Sequence, residues 1–243
     1  MKKFFRSLNI VPALAVIILV SAPFPGHCEE TEQSAPLEQS QSTEQPAMQP
    51  AAPPSPPADP LIQARALFSE EKYDEVIRLL TGPAASNPGN FPLNILLAKA
   101  QAEKCEDLKA RGDKSYKAAV MTPYLTAIRL FKIDPYRSEP YYVAAKCLVI
   151  NKSPTRAVRS IKKALYFSPD TPEYLITLGD GCVLLGERDN QTMQKDRLFS
   201  IARDAYQKAA AGTENERLRA KAEMKIKKLQ QLIDDIGGTV YRN

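Results

Sequence analysis

This sequence contains few of the residues that nucleophilic catalysis or metal binding requires. His27 is the only histidine among 243 residues, and it falls in a segment that we expect to be removed on export. Without histidine, the mature chain has no Ser-His or Cys-His nucleophile system and no histidine-based zinc site. Lysine, tyrosine and carboxylate side chains remain, but nothing in their spacing indicates catalysis. We therefore predict a protein that is not an enzyme and that holds no metal and no cofactor.

The sequence Gly179-Asp180-Gly181 does not indicate a phosphate site. It lies within a helical pattern, not between a strand and a helix, and it lacks a third glycine at the required spacing. Asp180 and Glu187 also lack the spacing of paired catalytic carboxylates.

Three cysteines follow the N-terminal segment: Cys105, Cys147 and Cys182. Cys147 and Cys182 occupy apolar positions of helical patterns, where a free thiol acts as a small apolar side chain. In an oxidising compartment an odd number leaves at least one thiol unpaired. We predict that Cys147 and Cys182 are packing residues and do not form a disulfide.

Residues 1–28 have the pattern of a secretory signal peptide. The basic start is formed by Lys2, Lys3 and Arg6. The apolar run that follows, 11–22, is shorter than the about 20 residues of a membrane span. We expect cleavage after Cys28 and a periplasmic or secreted protein. An inner-membrane anchor formed by residues 8–22 is the alternative, while the residues before Cys28 do not match the pattern of a lipidated cysteine.

Residues 29–60 have the composition of a linker. They include six acidic residues but no lysine or arginine, and they contain the proline-rich run Pro53–Pro57. Such a segment cannot bury enough apolar surface to offset the entropy of ordering it. We interpret it as a semi-rigid spacer that favours extended polyproline conformations. A proline-rich ligand for another protein is the alternative.

Residues 61–243 have helical periodicity throughout, which predicts an all-α domain. The clearest pattern is Tyr141–Pro169, which we predict to be two helices separated by a break at 151–154. On the second helix the apolar residues share one face: Ala157, Ile161, Ala164 and Leu165. A pair this short cannot bury both apolar faces alone, so it must stack on similar neighbours.

The other helices are expected from the same periodicity and from their end signals. We predict that the helix starting at Tyr73 ends by Gly82-Pro83 and that Ser115–Ile133 is one helix strained at Pro123. A capping box at 213–216 should open the last helix, and Gly237-Gly238 should end it. Its basic side chains are expected to face water, although they could bind an acidic partner.

The helix pairs repeat with a fixed period. Pro135 and Pro169 are 34 residues apart, which is the length of the tetratricopeptide repeat (TPR). Extra residues fall near 107–117 and 187–197. The residues that match the repeat are distributed over four units: Lys72-Tyr-Asp-Glu75 and Pro88; Leu97-Ala98 and Asp134-Pro135; Tyr141, Ala157, Ala164 and Pro169; Leu178-Gly179, Gly186, Ala202, Tyr206 and Ala209. The chain therefore resembles the TPR family, although no unit begins with tryptophan.

This resemblance implies a right-handed superhelical solenoid of helix pairs with a C-terminal capping helix. In the family, the first helix of each pair lines a concave groove that binds an extended peptide or a partner helix. The corresponding positions in this sequence are Arg65, Lys99, Tyr142, Lys146, Ile150 and Asp180. Three cations in this column would favour an acidic segment or a free carboxylate. Leu61 and Arg65 do not match the family's carboxylate clamp.

We therefore predict a protein-protein interaction adaptor of the bacterial cell envelope. The alternative is a scaffold or assembly component of an envelope complex that uses its convex face and its basic C-terminal helix. The positive charge is spread over the helices, so neither nucleic acid nor a small-molecule substrate is indicated. Contact with the membrane is expected only through an uncleaved N-terminal segment.

Overall fold

The computed structural model describes residues 59–240, with side chains up to residue 236, so the predicted signal peptide and almost all of the linker lie outside this range. The described part is all-α, and no strand occurs between residues 59 and 240. Its helices are α1 (Pro60–Ser69), α2 (Tyr73–Ser86), α3 (Phe91–Ala110), α4 (Tyr116–Ala119), α5 (Met121–Ile133), α6 (Ser138–Ile150), α7 (Pro154–Phe167), α8 (Pro172–Arg188), α9 (Thr192–Ala211) and α10 (Glu216–Val240). None of these helices is both long and apolar enough to cross a membrane.

The predicted pair Tyr141–Pro169 is confirmed as α6 and α7. The turn between them contains Lys152 with a positive φ of 53°, and Pro154 opens α7. Proline is favoured at the first position of a helix because no backbone partner is needed there. The apolar stripe of α7 is buried as its spacing predicts, while the opposite face is exposed.

Two prolines were misjudged from the sequence. Pro83 does not end α2, which continues to Ser86. Ala84, just after this proline, is buried in the apolar core that α2 shares with α1 and α3. Residues 115–133 are not one long helix strained at Pro123. The helix is interrupted at Val120, and α5 begins at Met121. Pro123 therefore lies in the first turn of α5, where its missing N–H has no helical partner to lose.

The extra residues at 187–197 mostly lengthen α8 and α9. Two further expectations are corrected near the C-terminus. The side chain of Asn215, not that of Thr213, caps α10 by accepting from the N–H groups of Arg217 and Leu218, at 3.0 and 3.3 Å. The pair Gly237-Gly238 does not end α10, since glycine weakens a helix by only about 1 kcal/mol.

The helices form two layers. Each helix packs against the next one along the chain, and α1, α3, α6, α8 and α10 also pack against one another in that order. The second helices of the pairs, α2, α5, α7 and α9, make no such contacts with each other within residues 59–240. The array is therefore a TPR-like solenoid, curved with the first set of helices on its inner side. The handedness of the superhelix remains a prediction.

The close approach of α8 and α9 explains why glycine occurs at the repeat position Leu178-Gly179. A Cβ at Gly179 would overlap the buried ring of Tyr206, and one at Gly186 would overlap the ring of Phe199. These aromatic side chains belong to the core shared by α8, α9 and α10. A second core joins α3 to α7, and Leu165 and Leu178 pack against both. The stack is thus continuous from repeat to repeat.

The cysteines are free and buried, as predicted for Cys147 and Cys182. Burial raises the pKa of the Cys147 thiol to about 12 and that of the Cys182 thiol to about 11. All three belong to the apolar cores described above.

Candidate functional site

The predicted groove residues all lie on helices of the inner layer. Arg65 is exposed on α1 and Lys99 is half-buried on α3. Tyr142, Lys146 and Ile150 are buried on α6. Asp180 is half-buried on α8. The last four of these line one cavity of about 280 Å³, whereas Arg65 and Lys99 lie outside it.

Lys146 is not the free cation that the sequence suggested. Its ammonium forms an ion pair with Glu103 and contacts Glu106 Oε2 at 2.9 Å, and only 9% of its side chain is exposed. Burial by itself lowers the pKa of Lys146, but the two carboxylates reverse this effect and the pKa stands well above its usual value. Lys146 in turn holds the pKa of Glu106 far below its usual range. The expected column of three available cations is therefore wrong at this position.

Tyr142 belongs to the same buried network. Its ring stacks on that of Tyr174, with centroids 4.7 Å apart, and its hydroxyl donates to Glu103 Oε1 at 3.5 Å. Burial raises the pKa of the Tyr142 hydroxyl well above 10. This network links α3, α6 and α8 through polar groups, each of which has its partner.

Asp180 is also occupied by partners from within the chain. It accepts a hydrogen bond from the Tyr206 hydroxyl at 2.6 Å and forms an ion pair with Lys225 at 2.8 Å. Its role is therefore to connect α8 with α9 and α10.

The terminal helix closes part of the inner side. Arg217, Lys221 and Lys225 are spaced four residues apart, so they lie on one side of α10. Lys221 contacts Glu106 Oε2 at 3.1 Å, and Arg217 reaches Glu71, in the turn after α1, at 3.6 Å. The expectation that these cations face water is wrong for Lys221 and Lys225, which are half-buried and form ion pairs with acidic groups. The curvature of the solenoid thus allows side chains of its last helix to reach α3 and the turn after α1.

We use the term inner face for the charged and aromatic residues that α3, α6 and α8 direct toward this region: Lys99, Glu103, Glu106, Glu139, Tyr142, Lys146, Glu173 and Asp180. Five of them are acidic and two are lysines, so the inner face is acidic without α10. Three cations of α10 offset that excess. This distribution is opposite to the one expected from the sequence.

Part of the inner face has no ion pair. Within residues 59–236, Lys99, Glu139 and Glu173 all lack an opposite charge at ion-pair distance. Burial lowers the pKa of the Lys99 ammonium, and the glutamates, led by Glu139 and Glu173, offset this only in part. These three half-buried side chains are the ones still available for a partner.

A second cavity, of about 640 Å³, shares Glu106, Ile150 and Asp180 with the first. Its walls combine charged side chains, among them Glu106, Asp180 and Lys225, with apolar residues from α6, α8 and α10: Val149, Ile150, Val183, Leu184, Leu229 and Leu232. Lys109 lies at this cavity and donates to the carbonyl of Ile150 at 3.0 Å, which caps the end of α6.

Sequence reasoning missed the acidic members of the inner face. Glu103 and Glu106 follow Lys99 by four and seven residues, so helical spacing already placed them on its side of α3. The three cations of α10 likewise share one stripe. What the spacing could not show is that these groups meet across the solenoid.

No protein-family model matches the sequence, and no curated protein matches it. The crystal structure of MamA is similar at 15% identity, over 72% of this chain and 96% of that one, with a TM-score of 0.42. TTC0263, a thermophilic TPR protein of Thermus thermophilus, is 17% identical over 69% of this chain and 97% of its own, with a TM-score of 0.43. The TPR domain structure of P58(IPK) is 15% identical over 72% of this chain and 55% of that one, with a TM-score of 0.38. Because all three TM-scores are below 0.5, these structures carry no argument, and the fold is assigned from the helix contacts described above.

Proposed function

We propose that this chain is a non-catalytic protein-interaction module of the bacterial cell envelope, and that its inner face receives a segment of a partner protein. The observation that supports this most is the unpaired group Lys99, Glu139 and Glu173 beside a cavity, on helices whose other polar residues are fixed by internal contacts. A rigid surface loses little entropy on binding, so its few free groups can select a partner. The signal-like N-terminal segment supports export, either to the periplasm or to an anchored position at the inner membrane.

The charge of the inner face favours a partner segment that carries lysine or arginine. An acidic segment, which the sequence suggested, would meet the carboxylates of Glu139 and Glu173 without an available cation except Lys99. The chain's own α10 illustrates the favoured chemistry, because its stripe of three cations contacts Glu71, Glu106 and Asp180. A partner helix with cations at the same spacing would have matching geometry.

Site-specific photo-crosslinking tests the proposal. A photoreactive amino acid replaces Lys99 on the inner face, and the same group replaces Lys208, which is exposed on the outer helix α9, as the control. In cells, we expect a protein adduct from position 99 and none from position 208. Glu173→Lys should then lower the yield of that adduct about tenfold, because it reverses the charge that the partner meets. An adduct that forms only from position 208 would show that the inner face is not the binding surface.

The alternative is a scaffold that makes its contacts through α10. It has support from the exposed cations Arg219, Lys227 and Lys228, which have no ion pair within residues 59–236. A photoreactive group at position 228 separates the two functions. An adduct from 228 together with none from 99 would favour the scaffold.

A further inference from the structure

A group of aromatic side chains outside the inner face joins α5, the turn before α6, and the α6–α7 pair. We call it the aromatic ridge, and its members are Phe131, Tyr136, Tyr141, Tyr166 and Phe167. Phe167 is at its centre, with the rings of Tyr166 and Tyr136 meeting it edge-on at 5.3 and 6.4 Å. Tyr141 stacks on Phe167 at 6.1 Å and on Phe131 at 5.4 Å. Five rings are therefore in continuous contact.

The two outer rings are almost fully exposed. Tyr136, in the turn before α6, is 78% exposed, and Tyr166, near the end of α7, is 81% exposed. Within residues 59–236, neither tyrosine hydroxyl has a hydrogen-bond partner. Large exposed apolar groups that adjoin one another commonly mark an interaction surface.

The ridge is also held in a fixed shape. The carbonyl of Pro135 accepts a hydrogen bond from Tyr141 at 3.0 Å, and the N–H of Tyr136 donates to Asp134 Oδ1 at 3.2 Å. Arg137 forms an ion pair with Asp134 and lies over the ring of Phe91 at 4.4 Å. The turn that presents Tyr136 is therefore ordered before any ligand arrives, which lowers the entropy lost on binding.

The chemistry of the ridge fits an extended proline-rich segment with negative charge. Tyrosines separated by an apolar ring provide the slots into which polyproline helices pack, and their hydroxyls can donate to peptide carbonyls. Lys163 lies over the Tyr141 ring at 4.7 Å, and Lys132 and Lys162 are exposed nearby in sequence. These cations favour an acidic ligand.

A proline-rich segment with acidic neighbours occurs in this chain, outside the described residues. The sequence from 46 to 57 contains the run Pro53–Pro57 and is itself uncharged, but Glu44 and Asp59 flank it, and the linker 29–60 holds six acidic residues without a lysine or arginine. We propose that the aromatic ridge binds this proline-rich segment of a second copy of the chain. The proposal is independent of the inner face.

Reach favours a second copy over the chain's own segment. Pro53 precedes the start of α1 by seven residues, which span about 20 Å at the 3.1 Å per residue of a polyproline helix. Packed helices lie about 8–10 Å apart, and three such steps lead from α1 through α3 and α6 to α7, which carries Tyr166. Tyr166 is therefore roughly 25–30 Å away by this spacing. The proline run falls short of Tyr166 in its own chain, whereas this tether does not limit the run of a second copy.

Self-association of the whole chain, purified as the cell processes it, tests the proposal. The ridge variant carries Tyr136→Ser and Tyr166→Ser, and the proline variant carries serine in place of the four prolines of 53–57. A control variant carries Ile62→Ser and Met193→Ser, which remove two exposed apolar groups elsewhere. Sedimentation velocity over a concentration series gives the association constant of each, and circular dichroism checks that each is folded.

We expect the wild-type and control chains to associate alike, and the ridge and proline variants to associate at least about tenfold more weakly. Mixing the two variants should restore a complex, because one supplies an intact ridge and the other an intact proline run. A wild-type chain that stays monomeric, including one whose ridge is filled from its own linker, would overturn the proposal. Equal association of all variants, or a mixture that stays dissociated, would do the same.

Discussion

Replacing Lys146 by methionine should destabilise the domain by about 3 kcal/mol at pH 7. Methionine keeps most of the volume, so the change removes a charge and leaves Glu103 and Glu106 facing each other. Removing one partner of a buried ion pair typically costs about 3–5 kcal/mol. We expect the lower end because the two carboxylate side chains are 17% and 30% exposed and water can reach them.

The matched control is Lys221→Met. Lys221 contacts the same Glu106, but 34% of its side chain is exposed. Exposed ion pairs contribute about 0–1 kcal/mol, so this variant should lose less than about 1 kcal/mol. Urea unfolding followed by circular dichroism measures both changes. For a domain of this size a loss of about 3 kcal/mol also lowers the Tm by roughly 6–12 °C.

The pH dependence of the Lys146→Met effect tests whether the lost stability comes from the ion pair with Glu106. In the wild type Glu106 has a folded pKa below its usual 4.5, so its contribution to stability is complete above pH 4.5 and is lost as the pH falls further. Without Lys146 most of that contribution disappears, because Lys146 is the main cause of the lowered pKa. The difference between variant and wild type should therefore be constant above about pH 4.5 and should shrink as the pH falls below it. A loss below about 1 kcal/mol at pH 7, or one that stays the same as the pH falls below about 4.5, would refute the reasoning.

Two further results are expected from single sites. Gly179→Ala should lower the free energy of unfolding in urea by about 1–3 kcal/mol, because its Cβ overlaps the Tyr206 ring. The control Gly82→Ala, whose Cβ meets nothing within 4 Å, should be neutral or stabilise by up to about 1 kcal/mol. Equal effects would contradict the close approach of α8 and α9. In the folded chain at pH 8 the buried thiols of Cys147 and Cys182, with pKa values of about 12 and 11, should resist iodoacetamide and should react in urea. Mass spectrometry counts the alkylated thiols, and a Cys147–Cys182 disulfide would disprove the packing role.

Local patterns predicted the helices because each helix depends on residues close in sequence. The spacing of Ala157, Ile161 and Ala164 identified the buried face of α7, and Pro135 and Pro169 gave the period of the stack. The errors came from weak local signals. Pro83 and Gly237 are permitted inside helices when the loss of one hydrogen bond or of some entropy is small relative to packing.

The candidate site could be predicted only in part. The resemblance to TPR proteins selected the correct helices, and Tyr142, Lys146, Ile150 and Asp180 do line one cavity. It could not show which charges are neutralised, because the contact between Lys221 and Glu106 joins residues 115 positions apart. That contact depends on the curvature of the whole array, which helical periodicity does not specify.

The internal pairing of the inner face has a consequence for how a partner could bind. Lys146 and Asp180 are committed to contacts within the chain, and breaking them would cost more than a new surface ion pair returns. A partner therefore gains most from groups without an ion pair, which are Lys99, Glu139 and Glu173. The two glutamates lie in the first turns of α6 and α8, whereas α10 contacts Glu106 and Asp180 farther along. A cationic segment can thus reach the free part of the inner face while α10 keeps its place.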